Sequence, residues 1–100
     1  EATELPVWLD QRPDLSRVVV VGDCTDLCIY QAAMHLRLRA NAAGQRAFEV
    51  VVPADCVDTY DLPVEAAARL GGMPHDASLL HPLFLYHMAL NGVQVVRSLS

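Results

Sequence analysis

The chain has 100 residues, 53% of them hydrophobic, and a formal net charge of −5. The length limits it to one domain, the acidic balance excludes non-specific nucleic-acid binding, and no apolar run approaches the ~18 residues of a membrane span. The apolar share is high for so small a domain and predicts faces that need a cover.

No basic segment precedes an apolar one at the start, so no signal peptide is expected. Three cysteines without framework spacing fit a reducing compartment, and a cytoplasmic location follows. The chain begins at Glu1 instead of a methionine, so the natural N-terminus is expected to lie upstream.

Residues 1–11 hold Leu5, Val7, Trp8 and Leu9. Thr3 is placed to cap a short helix there, with Pro6 in its first turn. Residues 12–16, with Pro13 and Asp14, read as a loop. Four valines, Val18 to Val21, then run up to Gly22. They predict a strand over 17–21, buried on both faces as in a parallel sheet.

After a polar turn, the pattern predicts a helix from Thr25 or Asp26 to Ala43. Either residue suits the cap, and Gly44 suits the stop. Gln31, His35 and Arg39 make a polar stripe on it. Leu27, Met34 and Leu38 form one apolar row, and Ile29, Ala33, Leu36 and Ala40 form another. The combined arc is wider than a one-sided surface helix needs.

Residues 47–52 predict a second strand, ended by Pro53, and 54–59 a polar loop. Asp61 is placed to open a second helix, with Pro63 in its first turn and Glu65 favoured by the dipole. Gly71 and Gly72 end it, and 73–76 connect onward. The last helix starts at Ser78 or His81 and runs to Leu90, closed by Asn91 and Gly92. Its residues leave little polar face, which predicts burial on most sides. Residues 93–97 form a final short strand.

Strands alternating with helices imply right-handed crossovers and a parallel sheet, hence the α/β class. Three strands offer too little area for so many apolar helical faces, so the chain reads as part of a larger domain.

The chemistry centres on Cys28. Ligands of open α/β sheets bind beyond the carboxyl ends of the strands. A helix start there presents unpaired N–H groups and positive dipole, which favour the thiolate, and the thiolate is the nucleophile. Against this stands an inert Cys28 in a non-catalytic α/β binding or assembly module. Cys24 and Cys28 also form a C-x-x-x-C pair, read as a redox couple or half of a zinc site. Zinc needs two more ligands; Cys56 follows the adjacent strand and His35 lies two turns along the helix, but no second ligand pair exists, so no metal is expected.

Asp23, Asp26, Asp55 and Asp58 follow strand ends, where capping and loop solvation are the ordinary roles. His35, His75, His81 and His87 have no metal spacing and read as packing or surface residues. G-x-G-x-x-G and P-loop patterns are absent, so no nucleotide cofactor is expected.

The stretch Val-Val-Val-Gly22-Asp-Cys-Thr25-Asp26-Leu-Cys28-Ile-Tyr-Gln-Ala-Ala resembles the isochorismatase-like cysteine hydrolases, which include nicotinamidases and N-carbamoyl amide hydrolases. Val-Val-Pro-Ala54-Asp55-Cys56 and His87-Met-Ala-Leu-Asn-Gly92-Val are similar to later segments of that family. The resemblance implies a three-layer α/β/α Rossmann-like domain, with residues 1–100 as its C-terminal part and C-terminal three strands. It implies a Cys-Asp-Lys triad with Cys28 as nucleophile and the Asp and Lys upstream of this segment. It implies a cis peptide between Asp23 and Cys24, and an oxyanion hole from the backbone N–H groups of Cys24 and Cys28. The activity implied is hydrolysis of a C–N bond in a small-molecule amide through a thioester, without a cofactor, in a homo-oligomer.

Overall fold

Backbone hydrogen bonds sort the apolar segments into two parallel sheets. The computed structural model describes residues 11–12, 14–45 and 47–99. The short helix expected around Thr3, Pro6, Trp8 and Leu9 lies outside them. In chain order the elements are β1 (Arg17–Val19), β2 (Gly22–Asp23), a π-helical turn (Thr25–Ile29) continuous with α1 (Tyr30–Ala42), and β3 (Glu49–Pro53). A short 3₁₀ turn (Ala54–Cys56), β4 (Val57–Asp58), α2 (Val64–Leu70), α3 (Ala77–Leu90) and β5 (Gln94–Val96) complete them.

The larger sheet has the order β1-β3-β5, all parallel, with Val18 opposite Val50 and Val52 opposite Val95. The smaller one pairs β2 with β4. This is the α/β class that alternating strand and helix patterns predict. β3 lies at the centre, and Val50, Val51 and Val52 are all buried. Full burial of each such side chain contributes ~1.5–3 kcal/mol.

The expectation that 17–21 is buried on both faces is corrected. Val19 and Val21 are 40% and 53% exposed, while Val18 and Val20 are half-buried. β1 is an edge strand, and its alternating side chains face the helices on one side only. The strand is also shorter than predicted. Val20 N still donates to Val51 O, and then the chain leaves β3 and joins β4 at Gly22. Gly22 makes that change of direction with φ 121, and a Cβ there would meet the Ile29 side chain at 3.7 Å.

The predicted first long helix is one continuous run, but neither Thr25 nor Asp26 caps it. Cys24 occupies the cap position without a side-chain bond, and its carbonyl accepts from both Leu27 N and Ile29 N. Thr25 and Asp26 instead spend their side chains on distant partners, described below.

Ile29, Ala33, Met34 and Leu36 of the turn and α1 are buried with Val50, Val52, Val57, Leu85, Met88 and Val93 in one core, and Ala40 is buried as well. The other predicted row divides, since Leu27 and Leu38 are exposed and Met34 is buried. Arg37 is buried as well. Its guanidinium donates to Phe48 O at 2.6 Å, Asn41 Oδ1 at 3.0 Å and Gln45 O at 3.4 Å. Gly92, with φ 99, leaves room for it, because a Cβ there would come within 3.3 Å of Arg37 Cδ.

α2 is capped by Pro63, not opened by Asp61. The Asp61 carboxylate accepts from Ala77 N, at the start of α3. α3 begins at Ala77, ahead of the expected Ser78 or His81, because Asp76 caps it by accepting from Leu79 N. Its burial on most sides is corrected too. Leu85 and Met88 are buried, whereas Leu79, Leu83, Tyr86 and Leu90 are 48–64% exposed. Among the described residues α3 packs against α1, the π-helical turn and β5 on one side, and nothing covers the opposite side. No helix among the described residues is long and apolar enough to cross a membrane.

Candidate functional site

The site forms where β2 ends. Asp23 closes β2, the Asp23–Cys24 peptide is cis, and the π-helical turn starts one residue later. π-type turns inside helices occur frequently at functional sites. Cys28 is the fourth residue of that turn and its side chain is exposed, while Cys24 is half-buried. Cys24, Cys28 and Cys56 are all free thiols. An open cleft of ≈ 650 Å³ runs along the strand ends, lined by Gly22, Asp23, Asp55, Cys56, Asp58 and His81 among others.

Three side chains of the Cys28 segment are anchored from outside it. Thr25 is fully buried, and its Oγ1 lies 2.8 Å from His81 Nδ1. Asp26 lies 2.7 Å from His75 Nε2 and accepts from the Thr59 hydroxyl at 2.6 Å. Tyr30 places its hydroxyl 2.8 Å from His87 Nδ1 and packs edge-on against the Phe84 ring at 4.9 Å. Anchored residues at 25, 26 and 30 thus surround an exposed Cys28.

Sequence reasoning missed all three histidine contacts. His75, His81 and His87 were read as packing or surface residues, and their spacing carries no helical or strand period that would mark their partners. Asp26 was likewise assigned to capping and instead meets His75 in a buried contact. The side chains of Asp26 and His75 are only 6% and 10% exposed.

The electrostatics follow from these contacts. For Asp26, burial pushes the carboxyl upward, but the hydrogen bonds from Thr59 and His75 together outweigh it and hold the acid below its ordinary value. For His75, the hydrogen bond to Asp26 raises the imidazole above its ordinary value against the opposing effect of burial, and the Tyr60 carbonyl adds to the rise. Cys56 donates to Asp55 Oδ1 at 3.4 Å, and that bond favours the thiol and pushes it up. Cys56 is therefore a poor nucleophile at neutral pH. Among the described residues, no three His, Cys, Asp or Glu side chains converge as a metal-ligand set.

The chain is similar to Nicotinamidase 1 of Arabidopsis thaliana, at 33% identity over 95 residues. The match covers 93% of this chain and 38% of the relative, so the chain spans little more than a third of that protein's length. With 93% of the chain matched, the whole segment from Gly22 to Tyr30 falls inside the aligned region. No family model matches the chain. No solved structure matches it either.

Proposed function

We propose that residues 1–100 are the C-terminal part of an isochorismatase-like hydrolase domain, and that the complete protein hydrolyses the C–N bond of a small-molecule amide with Cys28 as nucleophile. The observation that carries this reading is the exposed thiol of Cys28, in the first turn of a helix beyond a strand end, within the segment aligned to a nicotinamidase.

In this reading a carboxylate from outside these residues takes the Cys28 proton, and the thiolate attacks the amide carbonyl. The backbone N–H groups of Cys24 and Cys28 donate to the developing oxyanion. The carbon–nitrogen bond breaks as the acid returns the proton to the leaving nitrogen, giving ammonia or an amine and a thioester on Cys28. Water then hydrolyses the thioester, releasing the acid and regenerating the thiol. The sequence contains no lysine, so the lysine of the triad belongs outside these residues, and the family resemblance places its aspartate upstream as well. The same reading makes the protein a cytoplasmic homo-oligomer that needs no cofactor for this chemistry.

The test is release of ammonia from nicotinamide and a panel of small primary amides by the complete protein. Cys28→Ala is expected to lower kcat by about 10³-fold or more on whichever amide is cleaved. Undiminished hydrolysis by that variant excludes Cys28 as the nucleophile.

A further inference from the structure

α3 turns an uncharged, apolar face to the outside. Its 14 residues, Ala77 to Leu90, include no Asp, Glu, Lys or Arg. Leu79, Leu83 and Tyr86 follow one another at intervals of four and three, the spacing of a helix–helix seam. They are 56%, 48% and 63% exposed. Single exposed apolar side chains are ordinary, whereas a contiguous apolar patch marks a contact surface.

Beside Leu83 this row opens into a groove of ≈ 310 Å³ between α3 and α1, lined by Tyr30, Leu83, Phe84 and His87. Its walls are held in place. The Tyr30 ring stands edge-on to Phe84 at 4.9 Å, and its hydroxyl lies 2.8 Å from His87 Nδ1. A groove whose side chains are already ordered loses little entropy when it is filled.

The layers of the fold decide what covers this patch. The strand order β1-β3-β5 steps in one direction. Two right-handed crossovers then place α1 and α3 on the same face of the sheet, and the two helices touch each other there. Among the described residues no helix packs on the opposite face, where Val19 is 40% exposed. The second helical layer of a three-layer α/β/α domain belongs on that face. The helices of the upstream part thus have a place away from α3. A further layer of the same domain over α3 would also lie over α1, whose outer side presents Gln31 and His35. The cover of α3 is therefore a discrete contact. A patch that carries both a projecting ring, Tyr86, and an aromatic-walled groove has the two halves of a self-complementary interface, as a two-fold axis requires.

We propose that the face of α3 centred on Leu83 is a two-fold interface with a second copy of this protein, in which Leu79, Leu83 and Tyr86 pack across the axis and the groove receives an apolar side chain of the partner. Leu90, a turn farther along at the helix end, falls at the rim, where truncation costs little. The interface rests on the homo-oligomer proposed above, to which it gives a definite surface, and on none of the chemistry at Cys28.

The experiment is sedimentation equilibrium of the complete protein. A closed assembly that loses a two-fold contact falls to half its mass or less. Leu83→Glu and Tyr86→Glu are each expected to do this at a concentration where the wild type is fully assembled, with an unchanged far-UV circular dichroism spectrum. Gln31→Glu, on the outer side of α1, is expected to keep the wild-type mass. Folded α3 variants that keep the wild-type mass overturn the proposal and leave the homo-oligomer standing. A monomeric wild type, the result if upstream residues or a different protein cover α3, overturns both. Should the two α3 variants fail to fold, hydrogen exchange on the wild type decides. Protection of the peptide 79–86 must fall as dilution dissociates the assembly, and protection that does not change overturns the proposal. Neither measurement needs turnover. A failed amide-hydrolysis assay with a halved mass sinks the proposed chemistry alone, and intact hydrolysis with an unmoved mass sinks the interface alone.

Discussion

His75 Nε2 stands 2.7 Å from Asp26 Oδ2, and this contact joins the chain ahead of α3 to the turn that carries Cys28. The two groups shift each other in opposite directions, and stability depends on pH accordingly. His75 is raised, so its contribution is complete below the ordinary histidine value of 6.5 and is lost as pH rises through its folded value. Asp26 is lowered, so its contribution is present above the ordinary value of 3.8 and is lost as pH falls through its folded value. Thermal unfolding is therefore expected to peak on a plateau between these limits and to decline on both sides. Asp26→Asn should lower the plateau and flatten both flanks. Unchanged flanks in that variant would show that the pair carries no linkage.

Arg37 offers a test of the core. It is 5% exposed and donates to the Phe48 and Gln45 carbonyls and to Asn41. Arg37→Met keeps much of the packing but removes every donor. Leaving a buried acceptor unpaired costs about 1–3 kcal/mol. The loss should appear as a lower denaturant midpoint with an unchanged m-value.

The glycine that accommodates Arg37 separates backbone from contact effects. Gly92→Ala puts a Cβ 3.3 Å from Arg37 Cδ at a φ of 99. Gly44→Ala has a positive φ of 73 and nothing within 4 Å. Each pays the left-handed penalty of roughly 1–2 kcal/mol. Gly92→Ala should be the more destabilising in equilibrium unfolding, and equal losses would remove the Arg37 contact from the account.

Met88 and Leu90 lie on one helix in opposite settings, at 0% and 64% exposure. Met88→Ala is expected to cost about 2–5 kcal/mol. Leu90→Ala should stay within about 0.5 kcal/mol, as surface changes usually do. Denaturant titration of the two variants reads the difference directly.

The parallel α/β order was legible because each segment has its own apolar period and its own punctuation. Gly44, Gly71 and Gly92, all at positive φ, stand where the three helices stop. The two faces read as buried, on β1 and α3, were misjudged for one reason. A row such as Leu79, Leu83, Tyr86 and Leu90 says that a face is apolar, but not whether these 100 residues contain its cover.

Cys28 was nominated by its position, at a strand end and a helix start, and by the resemblance carried by the motif from Gly22 to Cys28. Its surroundings were not legible, because each anchor joins residues far apart in the chain. Asp26 and His75 are 49 residues apart, Thr25 and His81 are 56, and Tyr30 and His87 are 57. Helical and strand periodicities govern neighbours within a few positions and carry no information at such separations. The caps failed on the same ground. Thr25 and Asp26 have the right chemistry to cap a helix, and long-range partners took their side chains first.

The central claim is that Cys28 forms a thioester with an amide substrate. Acid quenching of the complete protein during turnover, followed by mass spectrometry of the peptide containing Cys28, tests it most directly. The account predicts an adduct on Cys28 with the mass of the substrate acyl group, absent without substrate and absent from Cys24 and Cys56. Turnover in Cys28→Ala at the wild-type rate, with no acyl adduct on the wild-type peptide, would contradict it.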